Sequence, residues 1–301
     1  NCPNAMIYYQ HKVRSYRDLP LKISDIDILH RFEKSGTLNG LLRVRSFSQD
    51  DAHIFVTQDQ IATQYQELIT LVDKFYSVFK IKYSFRLGTR PKKYLGDKKD
   101  WEKAEETLKS ILEKSHIKYE ILEGDGAFYG PKIDVLMTDR LDRKWQTGTI
   151  QLDFQIPKNF NLKYSDIDGK LKIPVVIHRV IYGSIERFMA ILLEHYKGIL
   201  PLWISPVQVR ILPISNKFIV EAEVVKNQLI DKGIRTEIDK RNYSLGKKIK
   251  FGQEEYLPYL AVMGEKEIKN QNLTIRKFGE KGLESISLDN LVKKIINTYP
   301  N

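Results

Sequence analysis

The stretch His30-Arg31-Phe32-Glu33, a loop over 34–40, and then Leu42-Arg43-Val44-Arg45-Ser46-Phe47-Ser48-Gln49-Asp50-Asp51-Ala52-His53 decides the reading of this chain. Side chains of a strand alternate between its faces, so a strand over 41–55 sets Arg43, Arg45, Phe47, Gln49, Asp51 and His53 on one side. That side carries two guanidinium groups, a ring, an amide, a carboxylate and an imidazole. Such a set does not suit a packing face; it suits a charged ligand. From Phe47 to His53 it extends for about 20 Å. The competing reading is a solvated edge strand with a chance alternation.

Outward from this stretch, helix-period and strand-period segments alternate, which makes the class mixed α and β. A helix is expected over 57–79, where Thr57 and Gln60 have capping-box spacing and Ile61, Tyr65, Leu68, Ile69, Val72 and Phe75 form an apolar stripe. A second is expected over 101–114 and a third over 184–196, the last capped by Ser184. Strands are expected over 132–137, 145–154 and 173–177. Pro201 and Pro206 bracket a connector near 202–206. Beyond it the pattern restarts: strands over 208–214, 234–239, 259–263 and 272–278, helices over 217–231, 244–255 and 287–299. The expected organisation is an α+β domain over 1–203 with a mainly antiparallel sheet, then a smaller α/β domain over 204–301.

Composition limits the function. The 301 residues carry a formal net charge of +11, a surplus that favours phosphates in nucleic acid, nucleotides or an anionic membrane. A lysine-rich genome is the other source of such a surplus. No apolar run approaches the ~20 residues of a membrane helix, and no signal peptide is recognisable at the N-terminus. The one cysteine, Cys2, cannot form an internal disulfide, so a cytoplasmic setting is expected.

The Arg31–Glu33 pair, the loop and the return strand with Arg43 and Phe47 resemble motif 2 of the class II aminoacyl-tRNA synthetases. Gly183-Ser184-Ile185-Glu186-Arg187 resembles motif 3. Asn1-Cys2-Pro3, Arg45 through His53, Gly126-Ala127-Phe128-Tyr129-Gly130-Pro131-Lys132, Gly148-Thr149-Ile150-Gln151-Leu152-Asp153-Phe154 and Ile177-His178-Arg179 narrow the resemblance to threonyl-tRNA synthetases. It covers essentially the whole chain. The span from Phe47 to His53 is then roughly the length of an aminoacyl-adenylate.

The resemblance implies a ligase that activates L-threonine with ATP and transfers it to tRNA(Thr). Arg31 would hold the α-phosphate, because the guanidinium fork presents paired donors to phosphate oxygens. Glu33 would accept from the adenine amino group, Phe47 and Arg187 would sandwich the ring, Arg43 would meet the pyrophosphate end, and Gln146 is a nucleotide-site neighbour. Magnesium would accompany ATP. Cys2, His53 and His178 would hold one zinc per chain, leaving an open position for the amino and hydroxyl groups of threonine. Gln49, Asp51, Tyr129, Thr149 and Gln151 would bind the amino acid, with Lys132 nearby. Valine lacks the hydroxyl, so such a site would reject it.

The second domain resembles an anticodon-binding domain, in which Asn242, Lys250, Glu267 and Arg276 match positions that contact bases, and Lys247 and Lys248 add to a basic cluster. The resemblance also implies a homodimer in the full-length protein, with motif 1 and an editing domain ahead of Asn1. Departures occur at Asn4, Ala5, Phe32, Asn39 and Ser46, mostly in the loop expected to meet tRNA. Two rivals are a synthetase for proline or serine, and a related RNA-binding protein without catalysis. Cys2, Asp51, His53 and His178 argue against the first, and Arg31 with Arg187 against the second.

Overall fold

Cys2–Gln10 (α1) leads into Leu21–Asp25 (β1), Ile28–His30 (β2) and Ser46–Val56 (β3). This computed structural model describes residues 1–300, which fall into two units, 1–195 and 196–300. The first continues with Ile61–Val78 (α2), Lys82–Gly88 (β4), Lys98–Lys114 (α3), Tyr119–Leu122 (β5), Lys132–Thr138 (β6) and Lys144–Asp153 (β7). It ends with Ile156–Asn159 (α4), the short pair Tyr164–Ser165 (β8) and Leu171–Lys172 (β9), Val175–Ser184 (β10) and Ile185–His195 (α5). Among the described residues, one eight-stranded sheet has the order β1-β3-β10-β7-β6-β4-β5, with β2 paired to the first part of β3. Its neighbours run antiparallel except β4 and β5.

Helical spacing of apolar residues attaches α2 and α3 to this sheet. Ile61, Tyr65, Leu68, Ile69, Val72 and Tyr76 are buried on α2, and Trp101, Ala104, Leu108, Ile111 and Leu112 on α3. Each fully buried side chain of this size contributes about 1.5–3 kcal/mol. Tyr76 adds direction: its hydroxyl meets Thr147 Oγ1 at 2.6 Å and donates to the Ile181 carbonyl at 2.9 Å, joining α2 to β7 and β10.

β10 runs over Val175–Ser184 rather than 173–177, and α3 starts at Lys98 rather than 101; two further boundaries differ from expectation for local reasons. Thr57 and Gln60 make half of a capping box, with Gln60 Oε1 accepting from Thr57 N–H at 3.0 Å, while the Thr57 hydroxyl donates to Asp59 at 2.7 Å. The residues close as a turn, and α2 begins after it. β3 starts at Ser46 rather than 41 because Asn39 and Arg43 exchange backbone hydrogen bonds of 3.1 and 3.2 Å around a tight turn. Helix α1 has no clear amphipathic signature in the sequence; it buries Ala5, Met6 and Tyr9 against Phe55, Leu162, Tyr164 and Val176.

Asp50 shapes β10. Its carboxylate accepts from the backbone N–H groups of Ile181, Tyr182 and Gly183 at 2.8–3.3 Å, where the pairing with β3 shifts register. Gly183 has φ +84°, a conformation that disfavours side chains. The strand turns there directly into α5.

The second unit contains Val209–Pro213 (β11), Ile219–Asp231 (α6), Thr236–Ile238 (β12), Leu245–Glu254 (α7), Tyr259–Met263 (β13), Glu265–Asn270 (α8), Leu273–Lys277 (β14), Leu283–Ile286 (β15) and Leu288–Ile296 (α9). Its sheet has the order β12-β11-β13-β14-β15, parallel about β11 and antiparallel beyond β13. The units part at His195–Tyr196, ahead of the proline-bracketed connector, because Leu202 already packs against the second core.

Gly130 marks the closest backbone approach next to the site. A Cβ there would lie 1.6 Å from the Leu152 carbonyl oxygen. Gly130→Ala must therefore push the loop ahead of β6 away from β7, at a cost of ~1–3 kcal/mol, the usual range for overpacking. A thermal melt is expected to show a clear drop in Tm; an unchanged Tm would contradict this packing.

Candidate functional site

A cavity of about 460 Å³ opens over β3, β7 and β10 and is edged by the loop that follows β2. It has two chemically different ends. At one, strand register brings together residues far apart in sequence: His178 pairs with His53 on one side and with Gln151 on the other. The start of α1 delivers Cys2. One ligand-type atom from each of Cys2, His53 and His178 lies within 4.8 Å of the others, and Cys2 Sγ is 3.5 Å from His178 Nδ1.

The surroundings of these three would suit a metal ion. His53 is fully buried, and neither of its ring nitrogens has a hydrogen-bond partner, a costly arrangement unless something coordinates them. His178 Nε2 meets Asp153 Oδ2 at 2.8 Å, the carboxylate–histidine support common behind metal-bound imidazoles. Asp153 is itself held by N–H donors from Gln155 and Ile156 at 2.8 and 2.9 Å. Burial, with the neighbouring His178 second, pushes His53 down to about 3. Burial also opposes charge on His178, but Asp153 and Cys2 outweigh it and hold the ring up at about 9. One thiol and two imidazoles suit zinc, so the residues present fit that ion.

The middle of the cavity is polar. Gln49, Asp51, Tyr129, Thr149 and Gln151 all line it. The Tyr129 hydroxyl donates to Gln151 Oε1, and Gln151 Nε2 donates to Thr149 Oγ1 at 3.4 Å. The Tyr129 ring lies 5.1 Å from that of His178. Burial raises the pKa of Asp51 against the pull of His178.

The far end is cationic. Arg31, Arg43 and Arg187 line it with Glu33 and Phe47. Arg31 sits over the Phe47 ring at 5.1 Å, and Arg43 pairs with Glu33 at 3.0 Å. Arg187 is aimed by the Leu42 carbonyl, to which its Nε donates at 2.8 Å, and by the Gln146 carbonyl at 3.3 Å. Burial, then Arg43 and Arg31, push the Arg187 pKa below the usual arginine value. Arg43 and Arg31 crowding Arg187, with one carboxylate among them, would suit an anion.

Thus the residues expected at the metal, amino-acid and nucleotide positions gather in or against one cavity. Arg45 is not in the cavity lining; its Nε donates to the Glu33 carbonyl at 3.0 Å. Lys132 is 9% exposed and held by Asp125 and Asp134 at 3.0 and 3.1 Å. In the second unit Lys248 is a correction: it is 3% exposed and donates to the carbonyls of Pro213 and Asp239, both at 3.0 Å, so it is not a phosphate contact. Glu267 accepts from Gly264 N–H and from the Thr274 hydroxyl at 3.0 and 2.7 Å, which caps α8. Asn242 precedes α7, exposed Lys250 lies on it, and Arg276 lies on β14.

Several supporting carboxylates escaped the sequence reading. Besides Asp50 and Asp153, fully buried Asp134 accepts from Arg86, Lys132 and Gln146 at 3.0, 3.1 and 2.8 Å. Glu186 accepts from Ser48 N–H and the Ser184 hydroxyl, fixing the start of α5 on β3. The signal available was a lone acid inside an apolar strand, as in Lys132-Ile133-Asp134-Val135-Leu136, since a buried charge needs partners.

Residues 1–196 match the family model of the tRNA synthetase class II core domain (G, H, P, S and T), and residues 208–298 match that of the anticodon binding domain. The threonine–tRNA ligase of Acetivibrio thermocellus is 50% identical over 301 residues, covering 100% of this chain and 47% of that protein. The one of Clostridioides difficile (strain 630) is 48% identical over 295 residues, covering 98% and 46%. The chain therefore spans about half the length of the curated relatives it matches. The crystal structure of the RNA binding domain of threonyl-tRNA synthetase from Cryptosporidium parvum Iowa II superposes with a TM-score of 0.95 at 41% identity, covering 100% of this chain and 76% of that one. With two family models on its two units and this likeness along its length, the chain belongs to the class II aminoacyl-tRNA synthetases, in the threonyl-tRNA synthetase family.

Proposed function

We propose that the complete protein activates L-threonine with ATP and transfers it to tRNA(Thr), with the cavity of the first unit as the activation site. The observation that carries this reading is the two-ended cavity: an N/S donor cluster at one end, an arginine-rich anion site at the other, and polar side chains between them.

In the first step a threonine carboxylate oxygen attacks the α-phosphorus of ATP. A mixed anhydride forms, the bond to the β-phosphate bridge breaks, and magnesium pyrophosphate leaves. No side chain acts as nucleophile, so the chain's part is positioning and charge neutralisation. Arg31 holds the α-phosphate and stabilises its growing charge. Glu33 accepts from the adenine amino group, Phe47 and Arg187 flank the ring, and Arg43 and Gln146 complete the nucleotide end. Cys2, His53 and His178 would hold zinc, which when bound offers an open position to amino and hydroxyl groups. Asp51 accepts from the threonine hydroxyl, Gln49 orients the carboxyl region, Tyr129 meets the amino group, and Thr149 and Gln151 close the pocket wall.

The second unit is proposed to read the anticodon through Asn242, Lys250, Glu267 and Arg276. Domain limits of 1–203 and 204–301, a homodimer of the complete protein and a reducing cytoplasmic setting belong to the same proposal.

Selectivity follows from the polar pocket. Valine would leave Asp51 and the donor cluster without the hydroxyl they are built to receive, a larger loss than a missing methyl group. Serine keeps that hydroxyl and loses one methyl, worth ~1–3 kcal/mol, or about 10- to 200-fold. Pyrophosphate exchange by the complete protein should therefore rank threonine above serine and serine far above valine. Equal activation of valine and serine would refute the account of selectivity.

Arg31→Ala and Arg187→Ala are each expected to lower exchange by about 10²–10³-fold, the scale of losing one donor to a developing anion. Threonine binding, measured by calorimetry, should change little. Near-normal exchange in either variant would remove that arginine from the nucleotide site.

A further inference from the structure

The second unit carries an aromatic and cationic patch that none of its packing requires. Between Lys240 and Lys250 the chain has five cations and no acid. Four of them are accounted for. Lys240 pairs with Glu223, Arg241 with Asp239 at 2.6 Å, Lys250 with Glu254 at 3.7 Å, and Lys248 is buried on backbone carbonyls. Lys247 enters no ion pair among the described residues. Its Nζ lies 3.8 Å from the centre of the Tyr243 ring and 5.8 Å from that of Phe251.

Tyr243 is 41% exposed, and its ring centre lies 5.7 Å from that of half-buried Phe251. The Arg241 guanidinium stands 4.6 Å from the Phe251 ring centre and 5.7 Å from that of Tyr243. Two rings and two cations thus make one surface directly beside Asn242. A cation resting on an exposed ring gains only about 0.5–1 kcal/mol, so these contacts do not by themselves explain leaving a tyrosine in water. The same pieces, an exposed ring and a cation over it that enters no ion pair, are what unpaired bases and their phosphates bind. An acidic protein partner would use the charges and leave the rings idle. A membrane surface would need outward apolar side chains, and Leu245 and Ile249 of this segment pack inward against Leu212, Leu257 and Leu260.

We propose that Tyr243 and Phe251, flanked by Lys247 and Arg241, form a stacking platform for one unpaired base of RNA, with Lys247 turning to the adjoining phosphate. This deepens the reading of the second unit as an anticodon reader and rests on it: Asn242 would identify a base by hydrogen bonds while Tyr243 holds its neighbour by stacking.

The test measures binding of an anticodon stem–loop of tRNA(Thr) to the complete protein, as a function of salt. Tyr243→Ala is expected to weaken binding by about 5- to 150-fold, the loss of one base–aromatic stack. Tyr243→Phe keeps the ring and should bind as the unchanged protein does, which separates stacking from a folding defect. Lys247→Ala should reduce the slope of log affinity against log salt by ~0.7, one single-strand phosphate contact. If the unchanged protein binds the stem–loop and Tyr243→Ala binds it equally well, the platform is refuted while the anticodon reading stands. If the unchanged protein does not bind the stem–loop at all, the anticodon reading fails and the platform with it.

Discussion

The register between β3, β10 and β7 is the constraint on which the site depends. It sets His178 opposite His53 and opposite Gln151. A slip of one residue on β10 would turn His178 to the other face and bring Ile177 or Arg179 in its place. The metal-type cluster, the polar pocket wall and the strand that leads to Arg187 would be lost together. The register is held from both faces. Phe55, Ile177 and Leu152 are buried among apolar neighbours. Asp50 takes up three backbone donors at the point where β10 must break step to become α5.

The second requirement is electrostatic. The cavity concentrates groups that would be unfavourable without a ligand: a buried imidazole with no partners at one end, and Arg187 repelled by Arg43 and Arg31 at the other. Local stability is given up here and made good by burial elsewhere, in the apolar stripes of α2 and α3. The carboxylates behind the cavity limit the loss. Asp153 fixes His178, Asp134 fixes Gln146 and Lys132, and Glu186 fixes the base of α5. Each supporting group acts on a side chain that faces the cavity, so the wall stays in place before any ligand arrives.

How much of this was legible in the sequence depended on range. Local patterns sufficed for α2, α3, α5, β6 and β7, because periodicity and caps are encoded within a few residues; β10 was expected over 173–177 but runs over Val175–Ser184, and β1 and β4 were not expected. Helix α1 gave too weak a periodic signal, and its role becomes clear only once Phe55 and Val176 are beside Tyr9. The alternation that started one strand at 41 failed because a tight turn at Asn39–Arg43 takes up Arg43 and leaves Arg45 ahead of β3, and propensity does not show where a hairpin closes. Cys2, His53 and His178 could not be joined by spacing; the family resemblance named them, the sheet register explains how the two histidines meet, and the start of α1 brings Cys2 to them. Lys248 looked like its exposed neighbours until the carbonyls of Pro213 and Asp239 were seen to surround it.

The central claim is that one end of the cavity selects threonine through a metal held by Cys2, His53 and His178. The most direct measurement is diffraction from threonine-soaked crystals at energies above and below the zinc absorption edge. The account predicts one anomalous peak per chain among those three side chains, with the amino and hydroxyl groups of threonine directed at it and Asp51 on the hydroxyl. A threonine bound with its hydroxyl turned away from the cluster, or Cys2 directed away from both histidines with no peak between them, would contradict it.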